Sequence, residues 1–312
     1  MPFQATFACL WCGASHTTRG PNDLEGWAQL CPDCLGKAGD NGFLRFRLHQ
    51  AIAERGASKR QVTEGIGDAD SPAAATAPTP APGVPAVDLD REMIEYYEAR
   101  APEYDDWYLR RGRYAHGPIH DAAWDAELDA AGRWLDALPM HGEIVELAAG
   151  TGWWSPLLAA KGVASLYDAS EAPLARARER LVAHGLRAHL HVRDAWAAPD
   201  RPVDALFTGF WLSHVPADRL PAFLAVARSW LKPGGLYAFI DSQDDPQSGT
   251  TDRVAPTNEV QQRRLADGRE FRVVKAYHAP DALEAALGDA GFDDVDITST
   301  GRFFQLGVGR AR

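Results

Sequence analysis

From Glu143 onward the chain alternates between two hydrophobic periods. Short apolar runs (EIVEL, ASLYD, AHLHV, VDALFT and GLYAFID) read as buried strands. Between them lie stretches whose apolar residues recur at helical spacing, notably EAPLARARERLVAH and ADRLPAFLAVARSWL. Such strand–helix repetition predicts an α/β fold: a mostly parallel sheet with helices on both faces. The repeat then breaks. EVQQRRLADGREFRVVK has two strand-like halves around Asp267-Gly268, which predicts an added hairpin over residues 259–275. A helix, APDALEAALGDAG, and two strands near DDVDITS and RFFQLGVG follow.

Ahead of this domain, placed at residues 88–312, the pattern changes twice. Residues 57–87 are rich in Ala, Pro and Gly, with SPAAATAPTPAPGVPAV at their centre. They lack the apolar surface to fold and read as an extended linker. Residues 1–56 hold all four cysteines and end in LRFRLHQAIAER, a short helix with Leu44, Leu48 and Ile52 at four-residue spacing. No basic leader precedes the cysteines, and the longest uncharged stretch is broken by prolines, so a cytoplasmic protein without a membrane partner is expected.

The cysteines form C-x2-C-x18-C-x2-C: Cys9, Cys12, Cys31 and Cys34. Two thiolate pairs at this spacing can close a tetrahedral S4 site, which leaves no open position for substrate. A structural zinc ion in a zinc-ribbon-like module is therefore expected. A disulfide pair is the rival, disfavoured in a reducing compartment. Net charge is −11 over 312 residues, whereas residues 1–56 are balanced, with five basic and five acidic side chains. The acidic remainder would repel a phosphate backbone, so nucleic acid is confined to a possible role for the N-terminal module.

Candidate cofactor chemistry centres on Glu146-Leu-Ala-Ala-Gly-Thr-Gly, between the strand EIV and a helix beginning near Trp153. Glycines at a strand-to-helix turn let a ligand approach the backbone beside exposed N–H groups. Asp168 ends the next strand, where a carboxylate can hydrogen-bond both hydroxyls of a ribose. Asp194 follows the third strand, placed to read an adenine amino group, with Trp196 nearby to stack. A nicotinamide dinucleotide is the alternative, but the third glycine of its fingerprint falls on Ser155.

Taken as a series, ELAAGTG, Asp168, Asp194, the LKPGG turn before GLYAFID and the final strand pair resemble the class I S-adenosylmethionine-dependent methyltransferases. The resemblance covers about residues 90–312, with Ala148 in place of the first motif's usual glycine. It implies a seven-stranded sheet of order 3-2-1-4-5-7-6. It also implies S-adenosylmethionine (SAM) as cofactor, with Glu146 near the methionine amino end and Gly150 and Gly152 lining the site. Asp168 would hold the ribose, and Asp194 and Ala195 would flank the adenine. The upstream segment YYEARAPEYDDWY resembles the N-terminal helix of the ubiquinone/menaquinone-type members, whose tyrosines close over the cofactor. Tyr97 and Tyr104 are assigned there on that basis, and Trp107 and Tyr108 equally to core packing.

His214, after the fourth strand, is the candidate general base, with substrate binding or packing as its other roles. His278 is a weaker candidate, His116 and His120 read as loop residues, and Asp241 reads as a substrate contact or a turn cap. Arg263, Arg264, Arg269 and Arg272 make the hairpin basic. Strand alternation puts Arg263 and Arg264 on opposite faces, so that one could point inward to grip a substrate carboxylate or phosphate, the alternative being a solvated hairpin whose arginines pair with nearby carboxylates. Methylation of a small molecule on O or N is the reading that results. Two others stay open: methylation of RNA or protein with the zinc module as recognition arm, and a non-enzymatic ligand- or partner-binding protein.

Overall fold

The computed structural model describes residues 6–18, 24–37, 48, 51–52 and 86–312. The linker expected at 57–87 lies outside the described residues except for its last two positions, which are helical; Leu44 lies outside them too, while Leu48 and Ile52 are helical. The chain divides into two compact units, Met1–Asp88 and Leu89–Arg312.

In the first unit, β1 (Thr6–Ala8) pairs antiparallel with β2 (Ser15–Thr17), and two short helices follow, α1 (Leu24–Ala28) and α2 (Pro32–Gly36). The turn between the strands is a tight one: Gly13 sits at φ +73° and donates to the Cys9 carbonyl at 2.8 Å. Cys31 caps α2, whose first turn brings Cys34 back beside it. Three of the four cysteines are buried with Ala28, Leu30 and Ala51 in a very small core. A core of that size supplies little stability without a metal or other cross-link.

The second unit holds most of α3 (Ala86–Arg100), then α4 (Asp105–Tyr108) and α5 (Pro118–Ala137). The repeat then runs β3 (Glu143–Leu147), α6 (Ser155–Ala159), β4 (Val163–Asp168), α7 (Glu171–Ala183), β5 (His189–Val192), β6 (Val203–Gly209), α8 (Leu220–Ser229) and β7 (Leu231–Ser242). The hairpin β8 (Val260–Arg264) and β9 (Glu270–Val274), α9 (Pro280–Asp289), β10 (Phe292–Ser299) and β11 (Phe304–Ala311) complete it.

Seven strands form one sheet in the order β10-β11-β7-β6-β3-β4-β5. β3, β4, β5, β6 and β7 are parallel, while β11 runs antiparallel between β7 and β10. Renumbered within this domain, that is the 3-2-1-4-5-7-6 order implied by the motifs. Alternation along each strand divides the core between the two faces. Ala164 and Leu166 meet Leu174, Ala177 and Leu181 of α7, whereas Tyr167 belongs to the larger cluster built on α8 and α9 around Phe223, Trp230 and Tyr237. LKPGG is more than a turn. β7 begins at Leu231, and Lys232 to Gly235 bulge out opposite the single residue Asp204 before pairing resumes at Leu236.

Candidate active site

The carboxyl ends of β3, β4 and β6, with α3 packed against them, line a cavity. This is the edge at which open α/β sheets bind ligands. Tyr97, Tyr104, Gly150, Asp168, Asp194, Ala195 and His214 all line it. Glu146 and Gly152 do not.

Gly150 lies at φ +55°, and a Cβ there would project to 3.8 Å from the Tyr104 ring. Its backbone N–H donates to Asp168 Oδ2 at 2.8 Å, while Ser170 N–H donates to Oδ1 at 2.9 Å. Each carboxylate oxygen keeps a lone pair for a further donor. Burial raises the Asp168 carboxyl to about 6, although the two N–H bonds and the proximity of Asp194 pull in opposite directions. The half-buried carboxylate, the backbone cradle and the adjoining apolar wall fit a ribose-bearing cofactor.

Gly152 instead faces α7: a Cβ there would meet the Ala177 Cβ at 2.7 Å, so packing requires glycine. Glu146 is 2% exposed and accepts a hydrogen bond from Ser155 Oγ at 2.5 Å. Burial pushes its carboxyl up to about 8, against that hydrogen bond. Two non-glycine residues flank the cavity in the left-handed region, Ala148 at φ +52° and Phe210 at φ +58°. Backbone strain thus gathers where β3 and β6 end at the cavity.

The N-terminal helices are clamped over the glycine turn. Asp105 accepts a 2.6 Å hydrogen bond from the Thr151 hydroxyl and pairs with Arg180, whose Nε donates to the Thr151 carbonyl at 3.1 Å. Tyr108 stacks on Trp153 with ring centroids 4.1 Å apart, a packing role, and Trp107 Nε1 donates to the Ser248 carbonyl at 2.6 Å.

His214 is buried and its tautomer follows from its partners. Nδ1 lies 2.6 Å from the Val274 carbonyl, which can only accept, so Nδ1 carries the proton. Nε2 therefore accepts from the Tyr97 hydroxyl at 2.7 Å. Burial, with Lys275 close by, holds the imidazole well below its usual range, so it is neutral at pH 7. Tyr97 is held well above the usual phenol range, chiefly by burial.

The other histidines have structural partners. His278 Nε2 lies 3.0 Å from the carbonyls of Leu212 and Val215, His116 contacts the Gly249 carbonyl, and His120 contacts Gln247. Asp241 is 1% exposed and accepts from the N–H groups of Ser213 and Ser242, tying the segment after β6 to the end of β7.

A second, smaller cavity adjoins the first across Tyr97, Tyr104, Phe210 and His214. Its far wall carries Arg100, Arg253, Arg263 and Lys275. Sequence reasoning singled out Arg263 alone of these. Arg100 had a visible signal: Tyr96 and Tyr104 stand four positions to either side of it, and its guanidinium lies 4.4 Å from the Tyr104 ring.

No curated protein sequence matches the chain significantly. The family model described as a methyltransferase domain matches residues 144–235. Two solved structures of DhpI, one in complex with SAH (S-adenosylhomocysteine) and one with SAM and HEP, are each 31% identical to this chain, with TM-scores of 0.58 and 0.59. Each alignment covers 73% of this chain and 98% or 100% of DhpI. A 1,6-didemethyltoxoflavin-N1-methyltransferase from Burkholderia thailandensis, bound to that substrate and S-adenosylhomocysteine, shares the fold at 15% identity and a TM-score of 0.50, over 75% of this chain and 94% of its own. With its strand order, its glycine turn and its relation to DhpI over nearly all of that protein, the chain belongs to the class I S-adenosylmethionine-dependent methyltransferases and is an enzyme of that class.

Proposed function

We propose that the enzyme transfers a methyl group to an oxygen or nitrogen of a small molecule. The observation that carries this reading is the pair of adjoining cavities, which meet at Tyr97, Tyr104, Phe210 and His214. One suits the cofactor and the other an acceptor. That DhpI forms a complex with SAM and HEP together is in keeping with this reading.

Within the first cavity Asp168 takes the ribose hydroxyls, Asp194 and Ala195 flank the adenine, and Trp196 stacks against it. Gly150 leaves room for the ligand beside the turn. The faces of Tyr97 and Tyr104 suit a cation, a contribution of about 1 kcal/mol. When bound, SAM supplies an electrophilic methyl on a sulfonium. The residues around it supply alignment, the larger part of the acceleration for an in-line displacement. Tyr97 and His214 form a proton relay: a protonated acceptor passes its proton to the Tyr97 oxygen as Tyr97 passes its own to Nε2. The test is SAH formation with a panel of small alcohols, acids and amines at saturating SAM. Turnover is expected with a subset. Cofactor binding with no turnover across the panel would contradict the reading.

Zinc in the N-terminal unit is part of the proposal. The four cysteine sulfurs lie within 4.8 Å of one another, and Cys12 and Cys31 are 3.7 Å apart. A tetrahedron with Zn–S bonds of about 2.3 Å has edges of about 3.8 Å. The four thiols fit a closed structural site. Among the described residues no helix is long and apolar enough to cross a membrane.

A further inference from the structure

The charges in the acceptor cavity are poorly matched. Three of the hairpin arginines face away and pair with carboxylates: Arg264 with Asp252, Arg269 with Asp267 and Arg272 with Glu92. Arg263 does not. Alternation along β8 turns Gln261 and Arg263 inward and leaves Gln262 and Arg264 exposed. Among the described residues Arg263 has no ion pair, and its Nε is buried without a hydrogen-bond partner.

Arg100 is in the same position. It is 5% exposed; among the described residues its Nε has no hydrogen-bond partner, Nη2 donates to the Tyr114 hydroxyl at 3.2 Å, and the guanidinium lies 4.4 Å from the Tyr104 ring with no carboxylate paired to it. Lys275, 6% exposed, donates to Ser213 Oγ at 2.7 Å. Arg253 is the exception, paired with Asp244 at 2.6 Å and donating to the Tyr277 hydroxyl. Asp241 is a carboxylate near Lys275, but its oxygens accept from the backbone N–H groups of Ser213 and Ser242 and, among the described residues, it makes no ion pair with Lys275.

Burying cations without counter-charges is costly, and it is offset when a ligand brings the charge. We propose that this cavity grips an oxyanion carried by the methyl acceptor, a carboxylate or phosphate-type group, through Arg263 and Lys275 with Arg100 behind them. This rests on the methyltransferase reading and deepens it. A planar guanidinium suits two oxygens of such a group, and an ammonium completes the contact. Burial, reinforced by Arg263, Arg253 and Arg100, pushes Lys275 down to about 7, although Asp241 opposes this. That is the signature of a positive field in want of an anion. A third cavity on the other side of Arg263 does not share it, because there Arg113 and Arg264 both pair with Asp252. The anion would sit across Tyr97 and His214 from the cofactor, so gripping it would aim the rest of the acceptor at the methyl.

The test is calorimetry on the full-length enzyme saturated with SAH, at constant ionic strength. Inorganic phosphate, methylphosphonate and acetate are the probes. Saturable binding of at least one is expected, and the comparison of phosphate and methylphosphonate with acetate tells phosphate-type from carboxylate recognition. Arg263→Gln should weaken it at least tenfold while leaving the SAH affinity unchanged. Arg264→Gln removes the same charge from the outward face and should change neither. No saturable heat from any probe, in enzyme that still binds SAH, would overturn the proposal. So would binding undiminished in both Arg263→Gln and Lys275→Met. Loss of SAH binding by the wild-type enzyme would overturn the cofactor reading beneath it.

Discussion

Replacing Asp168 with Ala removes a carboxylate whose remaining capacity can be counted. Of its four lone-pair positions, two are taken by the N–H groups of Gly150 and Ser170, at 2.8 and 2.9 Å. One on each oxygen is left, the arrangement a vicinal diol needs. A hydrogen bond to a charged group contributes about 1.5–3 kcal/mol. Losing one such bond weakens cofactor affinity by at least about tenfold, and losing both by more than a hundredfold. The wild-type affinity should also depend on pH. Burial sets this carboxyl at about 6 in the free protein, and hydroxyl donors favour its ionised form. Affinity should therefore be flat above pH 6 and fall toward tenfold per unit below it. Calorimetry with SAH between pH 5 and 7.5 measures both effects. Thermal melts run alongside, because Gly150 and Ser170 lose an acceptor too. A folded Asp168→Ala protein with wild-type affinity, or a wild-type affinity independent of pH in this window, would refute the reasoning.

Elemental analysis of the full-length protein should find about one zinc per chain, and none after Cys9→Ser or Cys34→Ser; metal-free wild-type protein under non-chelating conditions would contradict the site. His214→Gln should lower turnover by about 10²-fold or more, with cofactor affinity within about twofold. Full activity of that variant across the pH range would remove the relay. Ala148→Gly relieves a left-handed residue at φ +52°, worth up to about 1 kcal/mol, so melting should rise by about 2 °C; a fall would show that the Cβ has a packing role that outweighs the strain.

The parts of this molecule that obey a period were legible in advance. Strand–helix alternation predicted the parallel sheet, the motifs its order, and the Asp267-Gly268 turn the hairpin. Asp168 was found because a strand end places a residue at a known edge. The residues that escaped are those whose roles depend on which face an element presents after docking. Alternation says that Arg263 and Arg264 part company, but only the packing of Leu265, Val273 and Val274 against Met93 and Tyr96 decides which one turns inward. Lys275 drew no notice because a lone cation in sequence carries no sign of burial, and the tyrosines that flank Arg100 were read for the cofactor and not for the cation between them. Gly152 shows the opposite case: its motif position implies a ligand contact, whereas Ala177 on α7 accounts for the missing side chain. The proton on His214 Nδ1 depends on Val274, sixty residues away along the chain and visible only in the fold.

The central claim is that two cavities meeting at Tyr97 and His214 hold cofactor and acceptor for methyl transfer. A crystal structure of the enzyme with SAH tests it most directly. The ribose hydroxyls should lie on the Asp168 carboxylate, the adenine beside Asp194 and Ala195, and the sulfur should face the cavity walled by Arg100, Arg263 and Lys275. A cofactor bound elsewhere, or a sulfur turned away from that cavity, would contradict the account.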